Sequence, residues 1–210
     1  VLIMRYVALD FETANSDRIS PCSIGLAKME DGKVLDTFHS YIYPPSSYFD
    51  PSNIAIHGIT PKDIAGAPDF KSLWEHSLLL FIGNDLVIAH NAPFDIGILR
   101  AMLQYYHLPV APLNYTCTVR ISRKVWPQMQ SHRLVDLSEH FGFEYRPHDA
   151  LEDAINCGKV FFQSYHHTQD YSAFEVQQYF LHKHGIQFQR MTGGFSPLFE
   201  KQEPQSNSLF

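Results

Sequence analysis

Cysteine is scarce in this 210-residue chain, which has three: Cys22, Cys117 and Cys157. The number is odd, the spacing is not that of metal ligands, and each falls in a stretch that reads as a regular element. A disulfide scaffold is therefore not expected, and the three read as buried thiols of a reducing compartment, the cytoplasm. No apolar run reaches the roughly 18 residues that a membrane span needs. Val1-Leu2-Ile3-Met4 is apolar but leads straight into Arg5 without a cleavage-site pattern, so no secretion signal is read; the lack of an initial Met suggests that Met4 is the natural start or that the numbering omits something. Positive charge is also in short supply. Sixteen Lys and Arg against 22 Asp and Glu give a net charge of −6, which argues against a strongly basic, nonspecific nucleic-acid binder. What is present, 45% hydrophobic and 18% charged residues, is ordinary globular composition. The length suits one well-buried α/β domain followed by a tail.

Tyr6 to Leu9 forms a compact apolar segment leading into Asp10, and Pro21 to Met29 is a second strand-like stretch. Asp31-Gly32 before Val34 to Tyr43 predicts a hairpin turn. Pro44, Pro45 and Pro51 then break regular structure, with loop and short helix expected from Ser52 to Ile64. Phe70 to Phe81 has helical periodicity, Leu86-Val87-Ile88-Ala89 reads as a central buried strand, and Phe94 to Tyr106 is helical with one apolar stripe. A short strand near Tyr115 to Cys117 precedes helices from about Val119 to Val125 and Leu134 to Phe141, the latter stopped by Gly142. The last strong helix starts near Asp149, where Glu152 three residues on resembles a capping box. From Met191 onward the pattern dissolves into Gly, Ser, Pro, Gln and Glu, read as a flexible tail. The order of elements implies α/β or α+β layering around one mixed sheet.

Three acidic islands stand out: Asp10-Phe11-Glu12, His90-Asn91-Ala92-Pro93-Phe94-Asp95, and His148 followed by Asp153. Phosphodiester hydrolysis builds charge on both the attacking and the leaving oxygen, and two divalent ions about 3.5 to 4 Å apart can stabilise both. Magnesium favours hard oxygen ligands, so such a site asks for a few carboxylates. Asp10, Glu12, Asp95 and Asp153 answer that demand. Two ions would also take the net charge from −6 to −2. Side chains alternate along a strand, so Asp10 and Glu12 share a face. Asp-x-Glu is common by chance, and its bland reading is a solvated strand end; the position at the carboxyl edge of an apolar strand is what favours a site. Asp95 and Asp153 each have a bland reading as acidic residues in the first turn of a helix. Five residues turn a helix by about 500°, so His148 is expected on the loop before the helix that carries Asp153. One of 12 histidines near an Asp means little. His148 is singled out because a base near neutral pKa is still needed to take the proton from water.

Asp10-Phe11-Glu12-Thr13-Ala14-Asn15, Ile56-His57-Gly58-Ile59-Thr60, His90 to Asp95 and His148-Asp149-Ala150-Leu151-Glu152-Asp153 together closely resemble the DEDDh 3′-to-5′ exonucleases. Within that family they look like the group that includes the proofreading epsilon subunit of bacterial replicative DNA polymerase. The resemblance spans roughly residues 5 to 185. It implies an RNase H-like fold with a five-stranded mixed sheet flanked by helices, an exonuclease domain over 1–190 and a flexible tail over 191–210. It further implies two Mg²⁺ or Mn²⁺ ions held by Asp10, Glu12, Asp95 and Asp153, with His148 as general base. The main chain around Glu12 and Thr13 would meet the terminal 3′ hydroxyl, while Phe11, His57, His90, Asn91 and Phe94 shape the pocket.

On this reading the expected substrate is the 3′ end of single-stranded or frayed DNA, released as nucleoside monophosphates in proofreading or repair. A ribonuclease trimming RNA ends uses the same chemistry. A polymerase- or clamp-associated binding subunit is the alternative from another class. Arg120, Arg123, Lys124, His132 and Arg133 beside Trp126 offer a patch that could follow a single strand, with the indole free for stacking; a solvated helix face is the bland reading. Gln205-Ser206-Asn207-Ser208-Leu209-Phe210 resembles peptides that dock on bacterial sliding clamps.

Overall fold

The computed structural model describes residues 4–109, 112–166 and 173–191. A six-stranded sheet in the order β3-β2-β1-β4-β5-β6 carries helices on both faces. Three antiparallel strands come first: β1 (Arg5–Thr13), β2 (Pro21–Glu30) and β3 (Lys33–Tyr41). Asp31 and Gly32 make the two-residue turn between β2 and β3, both at positive φ, 46° and 78°. That is the geometry such a tight hairpin needs, and Asp-Gly accepts it readily. The parallel strands β4 (Leu86–Ala89) and β5 (Leu113–Cys117) follow. The expected strands are present, with a sixth added: β6 (Gln189–Met191) pairs antiparallel with β5, Met191 opposite Leu113. Met191, expected to begin the tail, is a buried strand residue.

Between β3 and β4 lie α1 (Pro51–His57), α2 (Phe70–Leu73), a π turn over Trp74–Leu78 and α3 (Leu79–Ile82). The expected helix over 70–81 is thus present with a one-turn π insertion. Asp50 caps α1 by accepting the Ser52 N–H at 2.8 Å, Pro51 fills the first turn, and Gly58 ends it at φ 76°. Next come α4 (Ala92–Tyr105), α5 (Thr118–Val125), α6 (Leu134–His140), α7 (Ala150–Tyr165) and α8 (Ala173–His184).

Alternation along β1 divides the core. Val7, Leu9 and Phe11 point to one face, where they meet Phe70, Trp74 and the α4 residues Ile96, Leu99 and Leu103. Tyr6 and Ala8 point to the other, where α7 contributes Ala154, Cys157, Val160 and Phe161. Fully burying side chains such as Trp74, Tyr6 and Phe161 stabilises the fold by roughly 1.5–3 kcal/mol each. All three cysteines are buried and free. Helix α7 lies unusually close to the sheet because glycines receive it. A Cβ on Gly25 of β2 would stand 2.2 Å from the Ala150 carbonyl oxygen, and one on Gly158 would stand 2.0 Å from Met29 Sδ. No described helix is long and apolar enough to cross a membrane.

Candidate active site

Strand β1 outruns its parallel neighbour. The β1–β4 ladder ends at Ala8 opposite Ile88, whereas β1 continues beside β2 as far as Thr13. Asp10 and Glu12 sit on this overhang as the next two positions of the Tyr6–Ala8 face, the one that α7 covers. Their partners across the β1–β2 ladder are Gly25 and Ser23. The missing Cβ of Gly25 therefore admits the first turn of α7 directly alongside Asp10, and Asp153 arrives in that turn.

Asp95 reaches the overhang from the opposite face. It lies in the first turn of α4, fully buried, and its Oδ1 accepts the Phe11 N–H at 3.0 Å, a donor beyond the end of the β4 ladder. Its Oδ2 is buried with no hydrogen-bond partner among the described residues. Tight delivery of α4 depends on Asn91, whose left-handed φ of 68° turns the chain from β4 into the helix. Asparagine tolerates that conformation better than most residues.

The four carboxylates crowd one another. Burial first, then the charges of Asp95, Asp153, Glu12 and Asp149, push Asp10 well above the usual carboxylate range. Burial does the same to Asp95. Burial and the Asp153 charge raise Glu12 to about 8. Asp153 is also raised by burial, although bonds from the Tyr145 hydroxyl and the His148 N–H oppose the shift. Without cations such a cluster is unfavourable as four anions and takes up protons instead. Part of it forms a group that could hold a divalent cation: one ligand atom each from Glu12, His148 and Asp153 lie within 4.8 Å of one another, without Asp10 or Asp95. The partnerless Asp95 oxygen is a further hard acceptor left for such an ion.

His148 stands on the loop before α7, as its spacing predicts, exposed and at φ 66°. Its N–H donates to Asp153 Oδ2 at 3.1 Å, which ties the loop to the cluster. Asp149 caps α7 by accepting the Leu151 and Glu152 N–H groups, both at 3.2 Å, and pairs with Arg146 at 2.8 Å. Tyr145 is the site residue that sequence reasoning missed. Its hydroxyl donates to Asp153 Oδ1, but it belongs to no motif and stands eight residues upstream.

The other expected site residues divide. Thr13, His57 and Phe94 line a recess beside Glu12. There the Thr13 carbonyl accepts from Asn53 Nδ2 at 2.9 Å and from His57 Nε2 at 3.0 Å, while His57 Nδ1 accepts the Ile59 N–H at 3.0 Å. Both imidazole nitrogens of His57 are thus engaged within the protein, and burial lowers its pKa. His90 lines the cleft on the Asp10 side, its Nδ1 2.9 Å from the Thr118 hydroxyl, with burial lowering it to about 4. Asn91 is exposed at the edge of a broader groove with Arg123, His132 and Arg133. Phe11 points into the core, and it is its N–H that serves the site. Within the expected basic patch, Arg133 pairs with Asp136 at 2.7 Å. Trp126 packs on Phe141 at a centroid distance of 4.9 Å, so its indole is partly buried rather than free to stack on a base.

Comparison with known proteins agrees with this geometry. The family profile described as an exonuclease (RNase T) matches residues 7–161. The chain is 29% identical over 160 residues to the DNA polymerase III subunit epsilon of Aquifex aeolicus, covering 74% of this chain and 78% of that protein. It is 30% identical over 156 residues to the PolC-type DNA polymerase III of Oceanobacillus iheyensis, covering 73% of this chain but only 11% of that much longer protein. Among solved structures, exonuclease X in complex with 5′-overhanging duplex DNA superposes with a TM-score of 0.64 at 22% identity, over 80% of this chain and 95% of that one. The nuclease domain of 3′hExo, a DEDDh family member bound to rAMP, gives 0.67 at 18% identity, over 78% and 92%. A profile that spans most of the chain, from β1 into α7, and an acidic cluster assembled from the matched segments make this chain a member of the exonuclease family, a 3′-to-5′ exonuclease.

Proposed function

We propose that the chain removes nucleoside monophosphates one at a time from the 3′ end of single-stranded or frayed DNA, using Mg²⁺ or Mn²⁺ at two adjacent positions. The observation that carries this is the convergence of Asp10, Glu12, Asp95 and Asp153 from both faces of the sheet, with one carboxylate oxygen buried and unpaired. Asp10, Glu12, Asp95 and Asp153 would hold the ions. Bound there, divalent cations would supply charge stabilisation for the attacking and leaving oxygens.

The chain's own groups do the rest. His148, exposed beside Asp153, accepts the proton of the attacking water, which asks for an imidazole within reach of the cluster and of solvent. The overhang of β1 binds the terminal sugar: its main chain at Glu12 and Thr13 forms the floor for the 3′ hydroxyl, and the Thr13 carbonyl is held by Asn53 and His57. Phe94, 45% exposed, offers a ring face to the terminal base. Asn91, Arg123 and His132 line the groove that leads away from His90 and could carry the preceding phosphates. DNA is preferred over RNA in this reading because polymerase III proteins are among the relatives that match in sequence.

A ladder assay on 5′-labelled DNA and RNA with Mg²⁺, Mn²⁺ and EDTA tests metal, polarity and sugar together. Stepwise shortening from the 3′ end that EDTA abolishes is expected, faster on DNA. Efficient cutting of a circular single strand would contradict end recognition, and faster trimming of RNA would transfer the role to an exoribonuclease. His148→Ala is expected to lose roughly 10²- to 10⁴-fold in kcat, the usual worth of a positioned base.

The expected boundary at 190 moves to 191, because Met191 closes β6; the nuclease domain is assigned to 1–191, and Gln205–Phe210, outside the described residues, to a clamp-docking peptide. A short peptide of this kind raises local concentration even when its own affinity is weak. Loss of binding between a peptide of residues 200–210 and the cognate clamp on Leu209→Ala with Phe210→Ala is the expected result. Three buried free thiols support a reducing compartment, the cytoplasm, as its place of work.

A further inference from the structure

Next to Glu12 the cleft deepens into a recess of about 270 Å³ between the β1–β2 connection, α1 and the first turns of α4. It combines apolar side chains, Ile56, Phe94 and Ile98, with one guanidinium, that of Arg18. The guanidinium rests on α4 where that helix has a glycine: a Cβ on Gly97 would stand 2.7 Å from Arg18 Nη1 and 3.0 Å from its Cζ. Glycine weakens a helix interior, and at this position it is what lets the cation lie so close to the helix. Among the described residues Arg18 enters no ion pair and no hydrogen bond. Among the described residues its donors meet no acceptor, although the guanidinium is seated against the helix.

The charge around the recess selects the kind of ligand. Glu12 and Asp17 share its wall with Arg18, which disfavours a second phosphate there. A flat, neutral group with apolar faces and acceptors on its edge fits better, and a nucleobase has that chemistry. A guanidinium carries only donors, in a planar fork. Guanine offers O6 and N7 as two adjacent acceptors, whereas adenine places an amino donor where guanine has O6.

We infer that Arg18 reads the base of the terminal nucleotide and makes the enzyme favour a 3′-terminal guanine over adenine. This deepens the proposed function and rests on its placement of the terminal nucleotide beside Glu12 and Phe94. Guanine and adenine present nearly the same stacking surface to Phe94, so their ratio isolates the edge contact.

The test is single-turnover hydrolysis of single-stranded DNA oligonucleotides that differ only in a 3′-terminal guanine, adenine or 7-deazaguanine. Wild type is compared with Arg18→Lys and Arg18→Met. A preference of roughly fivefold or more for guanine over adenine is expected of wild type, the low end for a bidentate contact because the guanidinium is solvent-exposed. It shrinks with 7-deazaguanine, which lacks the N7 acceptor. It falls to near one in Arg18→Met and stays intermediate in Arg18→Lys, whose ammonium cannot form the fork. Equal rates on guanine and adenine in wild type, or a ratio unchanged in Arg18→Met, overturn the inference and leave 3′-end hydrolysis standing. Failure of every oligonucleotide to be degraded with Mg²⁺ or Mn²⁺ overturns both.

Discussion

Four acidic side chains stand out in the sequence as candidate ligands through the motifs that carry them, and the structure brings their charges within reach of one another. The structure adds what each one costs. Asp95 keeps one oxygen on the Phe11 N–H and buries the other without a partner, so removing its charge relieves repulsion while the bonded oxygen can be kept. Asp95→Asn is therefore expected to abolish hydrolysis yet raise the melting temperature in EDTA, as is Asp10→Asn; thermal unfolding beside the ladder assay checks both. Glu12 supplies a pH dependence of the metal-free protein. Its pKa, raised from 4.5 to about 8, means the folded state binds more protons than the unfolded state between those values. Stability in EDTA is thus expected to be highest toward pH 4.5 within that window and to fall as pH rises to 8. Saturating Mg²⁺ should reverse the fall, adding about 2.7 kcal/mol at a hundred times its Kd. A melting temperature in EDTA that climbs across the window would refute this account of Glu12. Tyr145 and Arg18 lay beyond sequence reading for a different reason. A phenol that bonds Asp153 and a guanidinium resting on Gly97 have no fixed spacing to the residues they serve. His57 was visible through its motif, but not that both its nitrogens are spent on the loop.

Among the elements, the ones that build the site announce themselves by pattern. Leu86–Ala89 is a continuous apolar run, Asp31-Gly32 is a hairpin signal, and Pro93 with Asp95 marks a helix start. The elements that escaped notice are those whose stability is tertiary. Three residues of β6 are too few for any alternation to show, and α8 ends in His182, Lys183 and His184 with little apolar contrast around it. The contact that most directly couples an element to chemistry is that of α7 with β2. Gly25→Ala forces a methyl to within 2.2 Å of the Ala150 carbonyl oxygen unless the helix retreats. Overpacking of this kind costs about 1–3 kcal/mol. Displacement of Asp153 from Asp10 by even 1 Å is expected to lower kcat by roughly 10²-fold. Ala27→Gly, which removes a buried methyl from the same strand, serves as a control that lowers stability with little effect on kcat. Equal losses of kcat in the two variants would show that α7 docking is not specific to catalysis.

For the molecule as a whole, the sheet has two unlike ends. The candidate catalytic groups gather at the carboxyl ends of β1 and β4, beside the point where β5 gives way to α5 at Cys117 and Thr118. Strand β6 runs the other way along β5, so Met191 stands opposite Leu113, four residues back from Cys117 or roughly 13 Å along the strand. The polypeptide therefore departs from the pole opposite the cleft. A group attached directly after Met191 would disturb β6 at the end of the sheet away from the acidic cluster.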